Sequence, residues 1–362
     1  MIAHFKRLDW LMIASIALIV AFGLLSIYSS SLGRGEFGNF KKQVVFVSFG
    51  LLLMFLISFF DWRALKDNPY LMLALYVICL LSLIGLFFFA PEIRGTKSWY
   101  KLGPVSLDPI EFTKLILIVI LAKYFSARHI EMYRINHILF SGFYVFLPSV
   151  LVFFQPNIGS VLILLSIWLG TLVISGIKLR HFLLLVLCGL LIFGFSWQTA
   201  LKDYQKARIL SFVKPEASDA LAIGWNQRQA KIAVGSGGLL GQGIGKGSQT
   251  QYGFLPEPQT DFVFSAVAEE TGLAGVLILF FLFAFLIWRM VRVALEANNN
   301  FARLFVSGLI TVLISEIFIN IGMNIGILPI IGIPLPLASY GGSGLIALFV
   351  GFGIIQSIKT NS

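Results

Sequence analysis

The residues of this chain that could do chemistry stand at the edges of greasy segments. In FLPEPQTDFVF, residues 254–264, two prolines stop regular structure, a Thr-Asp pair follows, and an apolar run begins directly after Asp261. A carboxylate held at such a boundary can take a proton from a hydroxyl. It can equally sit in the first turn of a helix and favour the positive end of the dipole. Glu269 and Glu270 follow in the same run, and Glu257 precedes it. With a helix starting near Thr260, Asp261 and Glu269 share a face about 12 Å apart along the axis. Paired glycosidase carboxylates stand roughly 5–9.5 Å apart, so no hydrolase pair lies on this helix.

A second constellation opens another apolar run. DPIEFTK places Glu111 and Lys114 three residues apart on one helical face, either as an ion pair at the membrane edge or as a site. Glu316, Asn320 and Asn324 form a stripe at four-residue spacing, which suits interhelical hydrogen bonding. Between these carboxylates lies GSGGLLGQGIGKGSQTQYGF, residues 235–254. Such a run is either a flexible loop or a set of backbone amides for an oxyanion. Ser248 and Gln249 within it, and Glu257 beyond it, are candidate substrate contacts. SYGGSG at 339–344 carries the same ambiguity.

The elements that must position these residues are membrane helices. The chain has 362 residues, 58% of them hydrophobic and 12% charged, with a mean hydropathy of +0.90. That is more apolar surface than a soluble core can bury. A bilayer core about 30 Å thick takes about 20 helical residues to cross. Ten candidate spans meet this: roughly 10–30, 43–60, 69–90, 109–126, 137–154, 159–176, 180–197, 261–288, 302–326 and 341–358. The first is long for a cleaved signal peptide and is read as an uncleaved helix. No separate soluble domain or internal repeat stands out, so residues 1–362 form a single all-α polytopic membrane domain. Cys79 and Cys188 both fall in spans and report nothing about compartment.

The net charge of +10 follows topology rather than nucleic acid. With the N-terminus cytoplasmic, the short inside segments hold thirteen lysines and arginines, including Lys6, Arg7, Arg128, Arg134, Arg289 and Arg292; the short outside segments hold six, Arg34, Lys41, Lys42, Arg94, Lys97 and Lys101. This positive-inside bias places both termini in the cytoplasm and the large loop, residues 198–260, outside. Lys202, Lys206, Arg208, Lys214, Arg228, Lys231 and Lys246 make that loop basic, suited to an anionic partner. All four histidines, His4, His129, His137 and His181, map to the cytoplasmic side or its edge, which leaves the outer face no histidine for a metal cluster or a Ser-His triad.

GWNQRQAKIAVGSGGLLGQGIGKGSQTQYGFLPEPQTDFVFSAVAEETG, residues 224–272, closely resembles the signature of the SEDS proteins (shape, elongation, division and sporulation). SWYKLGPVSLDPIEFTK at 98–114, QPNIGS at 155–160 and NIGMNIGILPIIGIPLPLASYGGSG at 320–344 match the family's other blocks in order. The likeness covers essentially the whole chain and leans toward the elongation branch. It implies a GT-C-like membrane fold with its large loop between spans seven and eight. It also implies a peptidoglycan glycosyltransferase of the bacterial cytoplasmic membrane, polymerising lipid II beside a class B penicillin-binding protein.

The family's essential aspartate falls on Asp261, and its Glu and Lys fall on Glu111 and Lys114. The sequence departs from the pattern at Asn157, where the family usually has Asp, at Gln259 for His, at Ser98 for Arg and at Ile110 for Ser. On this reading Asp261 is the general base for the attacking sugar hydroxyl. Lys114, oriented by Glu111, joins Lys97 and Lys101 in neutralising the leaving undecaprenyl pyrophosphate. Asn157 is a further candidate substrate contact. No tightly bound cofactor or protein metal site is expected, although magnesium or manganese could accompany the pyrophosphate. The competing readings are a lipid II flippase and a scaffold for the penicillin-binding protein.

Overall fold

The computed structural model describes residues 2–92, 96–103, 105–127, 135–199, 201, 203–213 and 223–361. Arg94, Arg128, His129, Arg134, Lys202 and Lys214, which enter the charge argument above, lie outside them. In chain order the helices are α1 (Ile2–Arg7), α2 (Trp10–Arg34), α3 (Gly38–Ser58), α4 (Arg63–Asp67), α5 (Pro69–Phe89), α6 (Pro109–Ser126), α7 (Ile135–Phe154) and α8 (Ile158–Ile174). There follow α9 (Leu179–Thr199), α10 (Asp203–Val213), α11 (Ile223–Ser236), α12 (Ser248–Gln251), α13 (Val263–Glu296), α14 (Asn300–Ile325) and α15 (Gly342–Thr360).

Each of the ten expected spans is a helix. Eight are long and apolar enough to cross a membrane by length and composition. The other two are α6, which carries Glu111, Lys114 and Lys123, and α8, which has 17 residues. Short polar side chains start several of them. Asn68 accepts from the Tyr70 and Leu71 amides ahead of α5, and Pro69 fills the first helical position, where no amide hydrogen is needed. Asp108 and Pro109 repeat the device at α6. Asn157 caps α8 through the Ser160 amide, and Asn299 caps α14 through that of Phe301.

Packing centres on α14, which lies against α6, α8 and α13, while α15 runs beside α3 and also touches α6. Phe301, Phe305, Phe349 and Phe352 are fully buried along these seams. No residue of α9 is buried, so that span leans on the rest of the bundle very little. Between α5 and α6 a hairpin forms from β1 (Tyr100–Leu102) and β2 (Val105–Leu107), with Tyr100 opposite Leu107. The Tyr100 hydroxyl donates to the Ser82 carbonyl at 2.6 Å and pins the hairpin to α5.

The helix α13 has 34 residues and is broken at Gly272, where φ is 65° and ψ is −166°. Unbroken it would run about 51 Å, well beyond a bilayer core. The glycine loop repairs the break. The Leu273 and Ala274 amides donate to the Gly238 and Leu239 carbonyls at 2.9 and 3.0 Å, and the Gln242 and Gly243 amides donate to the Glu269 and Glu270 carbonyls, both at 3.0 Å. Backbone lies on backbone here. A Cβ at Gly237 would stand 2.0 Å from the Ala268 oxygen, and one at Gly241 2.2 Å from that of Glu270.

Candidate active site

One cavity of about 330 Å³ gathers Asp108, Glu111, Lys114, Asn157, Asp261, Glu316 and Tyr340 from five parts of the chain. Its floor is an ion triad. The Lys114 ammonium lies 2.8 Å from Glu111 Oε2 on its own helix and 2.6 Å from Glu316 Oε1 on α14, all but out of water. The i,i+3 spacing supplies the first contact, and the packing of α6 on α14 supplies the second. Buried charges of this kind persist only when paired, and here one cation serves two anions.

Asp261 does not sit in the first helical turn as the dipole reading required, since α13 begins at Val263 and Asp261 lies in the turn before it. The polar stripe of α14 holds that turn. Asn320 and Asn324 Nδ2 both donate to the Asp261 carbonyl at 3.0 Å, and Asn320 Nδ2 also reaches the Ile333 carbonyl at 2.8 Å. The Ser339 hydroxyl donates to the Thr260 carbonyl at 2.7 Å, and the Tyr340 amide donates to that of Gln259 at 2.7 Å. Asn320 and Asn324 are fully buried, so their amides are spent on aiming this turn. Gln259 is buried too, donating to Ser31 Oγ at 3.2 Å and accepting from Asn39 Nδ2 at 2.8 Å.

The other candidates divide. Asn157 lines the cavity, caps α8 and donates to Ser98 Oγ at 3.3 Å. Its contact is with Ser98, so two of the positions that depart from the family pattern touch each other. Glu257 stays off the wall. With φ of 44° it shapes the turn, and its carbonyl accepts from the Thr260 and Phe262 amides, both at 3.2 Å. Lys97 is half-buried and Lys101 exposed, and neither lines the cavity, although Trp99 and Ser106 of the same segment do.

Ser248 and Gln249 are also elsewhere, and the glycine run with them. The Gln249 and Thr250 amides donate to Glu269 at 2.7 and 3.0 Å, joined by the hydroxyls of Thr250 at 2.7 Å and Ser248 at 3.4 Å. Glu270 accepts from Ser29 Oγ, from Gln251 Nε2 at 3.1 Å and from the Gly245 amide at 3.3 Å. The loop does bind oxyanions, but they are the chain's own.

Of the seven cavity residues named above, three were not singled out as site residues from sequence: Asp108, which the structure shows capping α6; Glu316, which reads as interhelical; and Tyr340, inside the second glycine cluster. Burial, and then the neighbouring Glu111 carboxylate, push the Asp108 carboxyl up to about 8 against the opposing pull of the Ile110 amide and Lys114.

Comparison with known proteins agrees over the whole length. The family model that groups the FtsW, RodA and SpoVE proteins, described as "Cell cycle protein", matches residues 9–362. The chain belongs to this family, the SEDS proteins. Among SEDS relatives, the peptidoglycan glycosyltransferase MrdB of Escherichia coli (strain K12) is 36% identical, covering 98% of this chain and 94% of that protein. Stage V sporulation protein E of Bacillus subtilis (strain 168) is 32% identical over 98% and 97%. Among solved SEDS structures, a chain from a peptidoglycan synthase complex that coordinates polymerization and crosslinking superposes with a TM-score of 0.83 at 30% identity, covering 98% of each. The Thermus thermophilus rod shape determining protein RodA gives 0.73 at 28%, covering 97% and 96%. The fold expected from the resemblance, an all-α polytopic SEDS membrane protein, is the one found.

Proposed function

We propose that this chain polymerises lipid II into glycan strands during cell elongation, with Asp261 as general base. The observation that carries the reading is the shared cavity, which puts a carboxylate on a rigidly held turn and a buried ammonium in one space. The 4-hydroxyl oxygen of one lipid-linked disaccharide attacks the anomeric carbon of another. Asp261 receives the hydroxyl proton, the bond from the anomeric carbon to the phosphate oxygen breaks, and its electron pair leaves on undecaprenyl pyrophosphate. Lys114 lies where negative charge develops, with Glu111 and Glu316 holding it in place.

The site belongs at the outer face of the cytoplasmic membrane, with both termini inside, because the leaving lipid stays in the bilayer and the short loops carry the positive-inside bias. A class B penicillin-binding protein is the fitting partner, since a structural neighbour comes from a complex that joins polymerization to crosslinking. The test is purified protein with that partner, incubated with lipid II and assayed for polymer. Polymer from wild type and none from Asp261→Asn is the expected result. Transport of lipid II without polymer from wild type would select the flippase reading. Cysteines at Gly35 and Asn298 test topology with an impermeant thiol reagent; only the first should label in intact cells.

A further inference from the structure

We propose that Asp108 is a further catalytic residue of this glycosyltransferase, a neutral carboxylic acid that donates a hydrogen bond to the departing pyrophosphate. The inference rests on the polymerase reading above. Its starting point is the charge of the cavity around Lys114, where among the described lining residues the carboxyl groups of Asp108, Glu111 and Glu316 stand with that one ammonium. That ammonium is already shared between Glu111 and Glu316. A pyrophosphate brought up to ionised carboxylates beside that shared ammonium meets repulsion. An electrically neutral donor removes one of those charges and supplies a hydrogen bond where the leaving oxygens gather charge.

Asp108 has the geometry for this role. Its Oδ1 accepts from the Ile110 amide at 3.1 Å, and its own amide donates to Ser343 Oγ at 2.9 Å, so the backbone and one carboxyl oxygen are fixed. Among the described residues Oδ2 has no hydrogen-bond partner, and the side chain lines the cavity. Burial and the nearby Glu111 carboxylate favour the protonated form at neutral pH. The groups that face it are Glu111 and Lys114 on α6, Glu316 on α14, Asp261 before α13 and Tyr340 before α15. During transfer the proton stays on Asp108, the attacking hydroxyl's proton goes to Asp261, and the electron pair of the broken carbon–oxygen bond remains on the pyrophosphate.

Asparagine reproduces this arrangement at any pH, with Oδ1 as cap acceptor and Nδ2 as donor. The experiment therefore measures lipid II polymerisation by wild type and Asp108→Asn across pH, with Asp108→Ala as a third enzyme and folded fraction measured for each. Wild type converts its donor into an anion as pH rises through about 8. The ratio of the Asp108→Asn rate to the wild-type rate should then climb about tenfold between about pH 7 and about pH 9. Per folded molecule, Asp108→Ala should fall at least about tenfold below Asp108→Asn at neutral pH. A ratio that stays flat across this range overturns the proposal, even when the alanine variant fails to fold. Absence of polymer from wild type would sink the polymerase reading instead.

Discussion

Two pairs of carboxylates in this chain are built in opposite ways. Glu269 and Glu270 are wrapped by amides, hydroxyls and a side-chain amide of the glycine loop and α2. Asp261, whose carbonyl is held by Asn320 and Asn324, and Asp108, which caps α6, both line the cavity. A carboxylate whose lone pairs are already filled is structural, however suggestive its glycine-rich surroundings. One whose main chain is rigidly held beside a cavity is available for chemistry.

The sharpest way to break this contrast is Asp261→Asn, which keeps shape and removes proton acceptance. Polymerisation should drop about 10² to 10⁴-fold, about 3–5 kcal/mol of barrier, with lipid II binding and thermal stability retained. Full-rate polymer from that variant would move the search for the base to Glu257. Lys114→Met comes next. It removes the one cation among the described lining residues and should cost about 10²-fold or more per folded molecule. It also leaves Glu111 and Glu316 facing each other, so adding Glu316→Gln should recover folded yield but not rate.

Glu269→Gln probes the other side of the comparison. An amide nitrogen would be turned toward the Gln249 or Thr250 N–H groups, costing about 1–3 kcal/mol of stability. Polymerisation per folded molecule should hardly change; a large catalytic loss with normal melting would erase the division between the two sites. The smallest effect is expected at Asn157. Asn157→Asp keeps the α8 cap and adds a charge beside neutral Ser98. Its rate should fall by a few-fold at most, and adding Ser98→Arg should restore it.

The helices were legible in the sequence because apolar run length alone specifies a span; the caps at Asp108, Asn157 and Asn299 that set their starts came only from the structure. Glu111 and Lys114 were legible as a pair through their spacing on one turn. Their partner Glu316 was not, because it lies 202 residues from Lys114 in the chain and meets it only through helix packing. The glycine run misled for a related reason. Gly237 and Gly241 are required by the backbone of a broken helix, a contact that composition does not reveal. Lys97 and Lys101 had the right charge, but the wall of the cavity takes Trp99, Val105 and Ser106 from that segment instead.

The volume of the cavity also bears on how the product grows. At about 330 Å³ it lies at the small end of ligand pockets, which run from about 300 to 1,000 Å³. That is the scale of a reacting centre rather than of a finished strand. Each added disaccharide must push its predecessor outward, so strand length is a race between the next transfer and release.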